Sequence, residues 1–303
     1  MTTTVRVLFV LLSLLSAPLL SGIINKTKAL MGGRKGQPLL QLYYDIGKLF
    51  RKGAVYSTST TGVFKVTPWI GLAAVLTAFL IVPLPGYPAL VSFPGDLFLL
   101  AYLFGVLRFG LVLGALDTGS SFEGMGASRE VQFAFLSEPA LLLSFAVLFF
   151  GLEGTTLGEI LNDPFHIGAE KTVALYFVSV SLFIVLLAEN SRIPFDDPNT
   201  HLELTMIHEV MVLDHGGPDF GCILYASSLK LWLLGSLWTG VTLPFRQGNP
   251  WIDLLIHFLC MGVVGICIGF IESILARVRL IRVSHALSLA TVIAILGLLW
   301  IVG

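Results

Sequence analysis

The sequence predicts an all-α polytopic membrane protein, with about eight transmembrane helices and amphipathic helices on its cytoplasmic side. Two observations carry this reading. Of 303 residues, 55% are hydrophobic and only 12% charged, about half the roughly 25% charged share of soluble domains, and the mean hydropathy is +0.89. The apolar residues also gather in runs of about 20, the length needed to cross hydrocarbon at 1.5 Å per residue. A net charge of −1 offers no basic surface to nucleic acid.

The first run, Val5–Ile24, follows Arg6 and ends in small residues, as a cleaved signal peptide would. Its apolar part is span-length, whereas a signal core holds about 7–15 residues, so a retained first helix is expected. The following runs are Trp69–Val91, Leu97–Leu116, Val131–Leu152 and Val173–Glu189. Gly221–Leu243, Ile252–Ala276 and Val283–Val302 complete the set. Residues 1–303 read as a single transmembrane domain.

Basic residues set the orientation. With the N-terminus outside, the inner loops hold Lys26, Lys28, Arg34, Lys35, Lys48, Arg51, Lys52, Lys65, Arg129, Arg192, Arg277, Arg279 and Arg282. The outer segments hold only Arg6, Lys171 and Arg246. Thirteen against three is a strong positive-inside bias, and it predicts both termini outside a cytoplasmic (inner) membrane. No long soluble segment is present, so catalysis is expected in other proteins.

Three inner segments differ from plain connectors. After the turn Gly32–Pro38, residues Leu39, Leu42, Ile46 and Leu49 share one helical face, with Gln41, Asp45 and Lys48 elsewhere. This suits an interfacial helix, either a simple anchor or the floor of an opening into the bundle. The second segment, Leu116–Glu130, is rich in Gly and Ser and ends in Arg129-Glu130. Glu138 lies eight residues on, about 800° of helix rotation, which places the two glutamates within about 80° of each other. A carboxylate in hydrocarbon requires a partner or a wet cavity; Arg129 or Arg108 would serve.

The third segment runs from Glu189 to Gly217. Thr200 with Glu203 forms a capping box, and Gly216-Gly217 would end the helix it starts. Glu189, Asp196, Asp197, Glu203, Glu209 and Asp214 crowd this stretch, and crowded carboxylates raise one another's pKa, which suits proton transfer. His201, His208 and His215 recur every seven residues on one helix face. That is about 10.5 Å of rise per step, too far to share an ion, so no metal site is expected.

Two charges sit inside later spans. Glu272 falls about one turn before Arg277 and Arg279 and reads as an interfacial salt bridge or an ion-pathway acid. Lys230, inside Leu229–Leu234, needs an acid or water. Gly265 and Gly269 mark close helix packing. Cys222, Cys260 and Cys267 lack metal or disulfide spacing and read as reduced core residues.

Taken together these motifs resemble a known family. The stretches are Gly33-Arg34-Lys35-Gly36, then Gln41, Asp45 and Lys48-Leu49, then Leu116-Asp117-Thr118-Gly119-Ser120 and Gly126-Ala127-Ser128-Arg129-Glu130. Glu138-Pro139, Arg192-Ile193-Pro194-Phe195-Asp196 and Glu203-Leu204 continue them. The chain resembles the subunit of respiratory complex I beneath the quinone cavity. It is more similar to that subunit's homologue in energy-converting (group 4) NiFe hydrogenases and formate hydrogenlyase.

The resemblance implies a non-redox membrane subunit that links electron transfer in a hydrophilic arm to proton or sodium translocation. It implies hydrogenase-like large and small subunits, iron–sulfur subunits and antiporter-like membrane subunits as partners. The NiFe and iron–sulfur cofactors would lie in those partners and none in this chain. Glu130, Glu138, Asp196 and Glu203 would belong to the family's acidic cluster, while Asp214-His215-Gly216-Gly217 departs from the family's usual Glu-Tyr-Ser-Gly. Glu189, Asp197, Glu209, Asp214, Lys230 and Glu272 complete the candidate ion pathway. Arg34, Asp45, Lys48, Arg129 and Arg192 are the candidate charge partners and docking residues. The alternatives are a quinone-pocket subunit of an NADH:quinone oxidoreductase and, from another class, a stand-alone secondary transporter.

Overall fold

The computed structural model describes residues 3–83, 88–152, 154–162, 169–196, 206–243 and 249–302. Among the described residues, eight helices are long and apolar enough to cross a membrane. In chain order the helices are α1 (Thr3–Met31), α2 (Gln41–Leu49), α3 (Gly62–Ile81), α4 (Asp96–Asp117) and α5 (Ser121–Leu152). Then come α6 (Leu157–Asn162), α7 (Ala169–Glu189), α8 (Gly217–Thr242), α9 (Pro250–Ile274) and α10 (Leu280–Val302). All but α2 and α6 are span-length. With eight crossings, the ends of α1, α4, α7 and α9 gather at one end of the bundle. This is the basic end, and α2 lies on it.

Helix boundaries depart from the hydropathy runs wherever polar residues find partners. Helix α1 continues past Ile24 to Met31 because Lys28 reaches Glu272 on α9 at 2.8 Å. Helix α3 starts at Gly62, not near Trp69, because Thr61 caps it by accepting from the Val63 amide. The Asp117 carboxylate in turn accepts from the amides of Thr61 and Phe64. Helix α5 starts at Ser121, so the Gly- and Ser-rich stretch through Glu130 is mostly helix rather than loop.

The capped helix expected over 200–215 differs more. Thr200, His201 and Glu203 lie outside the described residues. Beyond them there is only a 3₁₀ turn, Glu209–Val212. The Asp196 carboxylate accepts from the amides of Ile207 and His208, both at 3.2 Å, which takes backbone donors that a helix would use internally. Gly216-Gly217 begins α8 instead of ending a helix.

Helix α8 is central. It packs against α1, α2, α3, α7 and α9, and every residue from Ser228 to Leu237 is buried. Around it, α4 packs on α3 and α5, α10 packs on α5 and α7, and α1 packs on α9. The α1–α9 contact uses the small residues foreseen in the sequence: a Cβ at Gly269 would lie 2.8 Å from the Ile24 carbonyl oxygen. Of the cysteines, only Cys222 is in the core; Cys260 is half-buried and Cys267 exposed.

Candidate functional site

Five ionisable side chains from four helices meet in the basic half of the bundle. Arg108 of α4 is buried and touches three glutamates. Its Nε lies 3.3 Å from Glu130 and its Nη1 2.5 Å from Glu138, both on α5. Its Nη2 donates to Glu189 at the end of α7. Arg108 is therefore the partner that the helical phase of Glu130 and Glu138 required. A guanidinium carries five N–H donors in a fixed fork, so one residue serves three acids. Glu138 differs from the others in that half of its side chain (52%) is open on the flank of the bundle.

Glu189 also accepts from Lys230 Nζ at 2.6 Å and from the Ser137 hydroxyl at 2.8 Å. Lys230 projects from the buried middle of α8, and this pair supplies the counter-charge it needs. A short cavity of about 20 Å³ beside Glu130, Ser137, Glu189 and His208 has room for about one water.

His208 joins this cluster to the loop after α7. Its Nε2 lies 3.0 Å from Glu130 and its Nδ1 3.5 Å from Asp196. Arg277, in the connection between α9 and α10, holds the other Asp196 oxygen at 2.9 Å. The approach depends on Gly126: a Cβ there would sit 2.2 Å from Val210 Cγ1 and 3.0 Å from the Ile207 carbonyl. Burial pulls the His208 pKa down, but Glu130 and Asp196 outweigh it and push it up to about 10. Asp196 is lowered: burial raises it, and hydrogen bonding and charge from His208, with Arg277, win.

These shifts give a testable pH dependence. A histidine raised in the folded state contributes stability that is complete below its unfolded pKa of about 6.5. The contribution is lost as pH rises through about 10. His208→Gln should therefore lower Tm near neutral pH, and the gap to wild type should close as pH passes through about 10. A gap constant with pH would show that His208 is neutral in the fold.

His215 has the opposite environment, so the seven-residue spacing does not place the two rings on one face. It stacks on Phe64 at 3.9 Å, and burial lowers its pKa to about 4 despite Asp219 and Asp214.

Glu272 forms a second cluster. It pairs with Lys28 of α1 at 2.8 Å and with Arg192 at 3.6 Å, not with Arg277 or Arg279. Helix α9 ends at Ile274, and beyond it Arg277 turns to Asp196. Arg192 also approaches the Ser21 hydroxyl. Arg129 donates to the Met206 carbonyl at 2.9 Å, which fastens the loop to α5 instead of neutralising Glu138.

The larger cavity, about 310 Å³, opens beneath α2 and is lined by Asn25, Asp45, Thr67, Arg108, Glu130 and Lys230, among others. Glu209 also lines it. Asp45 lines this space with Leu42 and accepts from Gln41 at 2.9 Å, so α2 borders the opening while its own residues are not buried. Asp214, by contrast, is exposed; its contribution is a backbone N–H donated to Glu123. Arg34 and Lys48 are exposed at the basic end, apart from the cluster. Asp197 and Glu203 lie outside the described residues.

Two members went unassigned in the sequence. Arg108 was visible only as one of two possible partners, and His208 only as part of a spacing. The signal for Arg108 was an arginine near the middle of an apolar run, which demands an acid, a backbone acceptor or water.

Residues 3–302 match the family described as NADH dehydrogenase. The chain is 29% identical over 297 residues to hydrogenase-4 component C of Escherichia coli K12, covering 96% of this chain and 93% of that protein. With formate hydrogenlyase subunit 4 of the same organism it shares 31% over 270 residues, 87% of each. Among solved structures, a chain of the membrane-bound sulfane sulfur reductase, an archaeal respiratory membrane complex, superposes with a TM-score of 0.84. Its identity is 20%, over 98% of both chains, a likeness of fold.

Proposed function

The chain belongs to the NADH dehydrogenase family, and from that premise we propose that it is the non-redox membrane-anchor and ion-coupling subunit of a group 4 hydrogenase-like complex. It links electron transfer in partner proteins to proton or sodium translocation. The observation that carries this is the buried network from Asp196 through His208 and Glu130 to Arg108, Glu189 and Lys230. Among the described residues four carboxylates, at 130, 138, 189 and 196, face four cations, at 108, 208, 230 and 277. A balanced network in a medium of low dielectric is sensitive to one added charge, since a unit pair at 4 Å is worth about 4 kcal/mol at an effective dielectric of 20.

In this reading the basic end faces the cytoplasm, as the lysines and arginines favour, and it docks the hydrophilic arm through residues such as Arg34 and Lys48. The large and small hydrogenase-like subunits and the iron–sulfur subunits carry the redox centres. A charge change in that arm, near the Asp196 loop, is relayed by His208 to the acids within the bilayer. Glu138 is the lateral end of the network. It stands between exposed Phe135 and Leu142, and although Arg108 holds one of its oxygens, the half left open would face lipid at a cost, so an antiporter-like membrane subunit covers this flank. The 310 Å³ cavity is of ligand size and favours, as a second reading, a quinone head group beneath α2.

The test is ion movement per electron pair in the assembled complex in sealed vesicles. Glu130→Gln and Glu138→Gln should each lower that ratio severalfold, because each removes a group that can take and release a proton. Unchanged ratios in both, with normal assembly, would sink the coupling role of this cluster.

A further inference from the structure

A second set of buried polar groups lies in the half of the bundle away from the basic end, and the network above does not use it. Helix α9 enters at Pro250, and Asp253 and His257, one turn apart, are both buried. From α8, Ser236 Oγ lies 3.5 Å from His257 Nε2. Ser236 is six residues beyond Lys230, about 9 Å farther along the axis. Between them the layer is largely apolar, with Leu231, Leu233 and Leu234 all buried.

Two further observations point to hydration. The indole N–H of Trp232 is buried and has no acceptor among the described residues, and its ring meets the His257 ring edge-on at 6.1 Å. Both Trp232 and Ser236 line a cavity of about 10 Å³ closed by Val10, Phe79, Val82 and Leu233. That is about the space one water needs, and a buried water needs at least two polar partners. The Trp232 N–H as donor and the Ser236 hydroxyl as acceptor or donor provide them. An indole N–H buried without any acceptor would otherwise destabilise the fold.

We propose that Trp232, Ser236, His257 and Asp253 form a hydrated, protonatable site in the outer half of the bundle, at which a proton is exchanged with the outer face. The imidazole takes a proton at a ring nitrogen and releases it to water, consuming nothing else. Asp253, four residues away on the same helix, is the titratable neighbour that stabilises the charged ring, while Ser236 and Trp232 present neutral dipoles from α8. The apolar layer isolates this site from Lys230 until the inner network rearranges. The site rests on the ion-coupling reading above.

The experiment is ion movement per electron pair by the assembled complex in sealed vesicles as the outer pH is varied from about 5 to about 8, the imidazole range. The wild-type profile should contain a limb in that range. His257→Gln should abolish it, and Asp253→Asn should move it to lower pH by about one unit or more, a displacement that a packing role would not produce. Wild-type profiles in both variants would overturn the proposal. Should either variant fail to assemble, Ser236→Ala decides by the same measurement, since it removes only the hydroxyl that ties the water to the ring, and an unmoved profile overturns the site. Glu189→Gln run in parallel separates the two readings. If it abolishes ion movement while the His257 variant is silent, the outer site alone falls; if both are silent, the coupling reading falls too.

Discussion

Replacing Arg108 by methionine is expected to destabilise the protein by about 3–5 kcal/mol, the scale for removing one partner from a buried ionic group. Methionine preserves most of the length and removes the charge. Glu130 and Glu189 then remain in a buried site where one cation had served both, and Glu138 remains on the flank with no counter-charge from α4. Lys230 still holds Glu189 and His208 still holds Glu130, so the loss falls short of three unpaired acids. The measurement is Tm of the detergent-purified complex together with ion movement per electron pair, both of which should fall. Arg108→Lys should rescue only in part, because an ammonium is a point charge that does not span three acids in fork geometry. A methionine variant with wild-type Tm and coupling would show that the three acids do not depend on Arg108.

Much of this was legible in the sequence, and the illegible part has a physical pattern. Hydropathy alone places eight spans because the bilayer imposes length and polarity on each segment separately. It misplaces the ends of α1 and α5, where polar residues stay helical because a partner on another helix receives them, as Glu272 receives Lys28. The common face of Glu130 and Glu138 was legible because helical phase is local. The pairing of Glu189 with Lys230 was not, although each residue separately announced a need for a partner, because the two lie on different helices and only packing brings them together. His208 shows the limit most clearly. A spacing of seven suggested a helix that the backbone does not form beyond Met206, and the role of the ring comes from Asp196 drawing the loop toward α5. Asp214 errs the other way: it joined the acidic stretch by composition, yet its side chain is turned to the surface.

The pair Lys230–Glu189 permits a test that separates holding the fold from moving charge. Lys230→Met leaves Glu189 with Arg108 and Ser137 alone, and Glu189→Gln leaves a buried ammonium without its carboxylate. Each single change should lower Tm, the glutamine more, because it strands a full charge at a buried position in the middle of α8. The double variant removes both charges and strands neither, so it should be more stable than the sum of the singles by about 0.5–3 kcal/mol, the usual range for residues in direct contact. Ion movement should behave differently. A structural clamp would regain coupling as it regains Tm, since the acid and the amine would matter only for packing. A group that takes part in charge movement is missing from the double variant just as it is from the single, so the ratio of ions to electron pairs should stay near that of Glu189→Gln while Tm recovers. Recovery of both together would reduce Lys230–Glu189 to a clamp and move the charge path to Glu130 and Glu138.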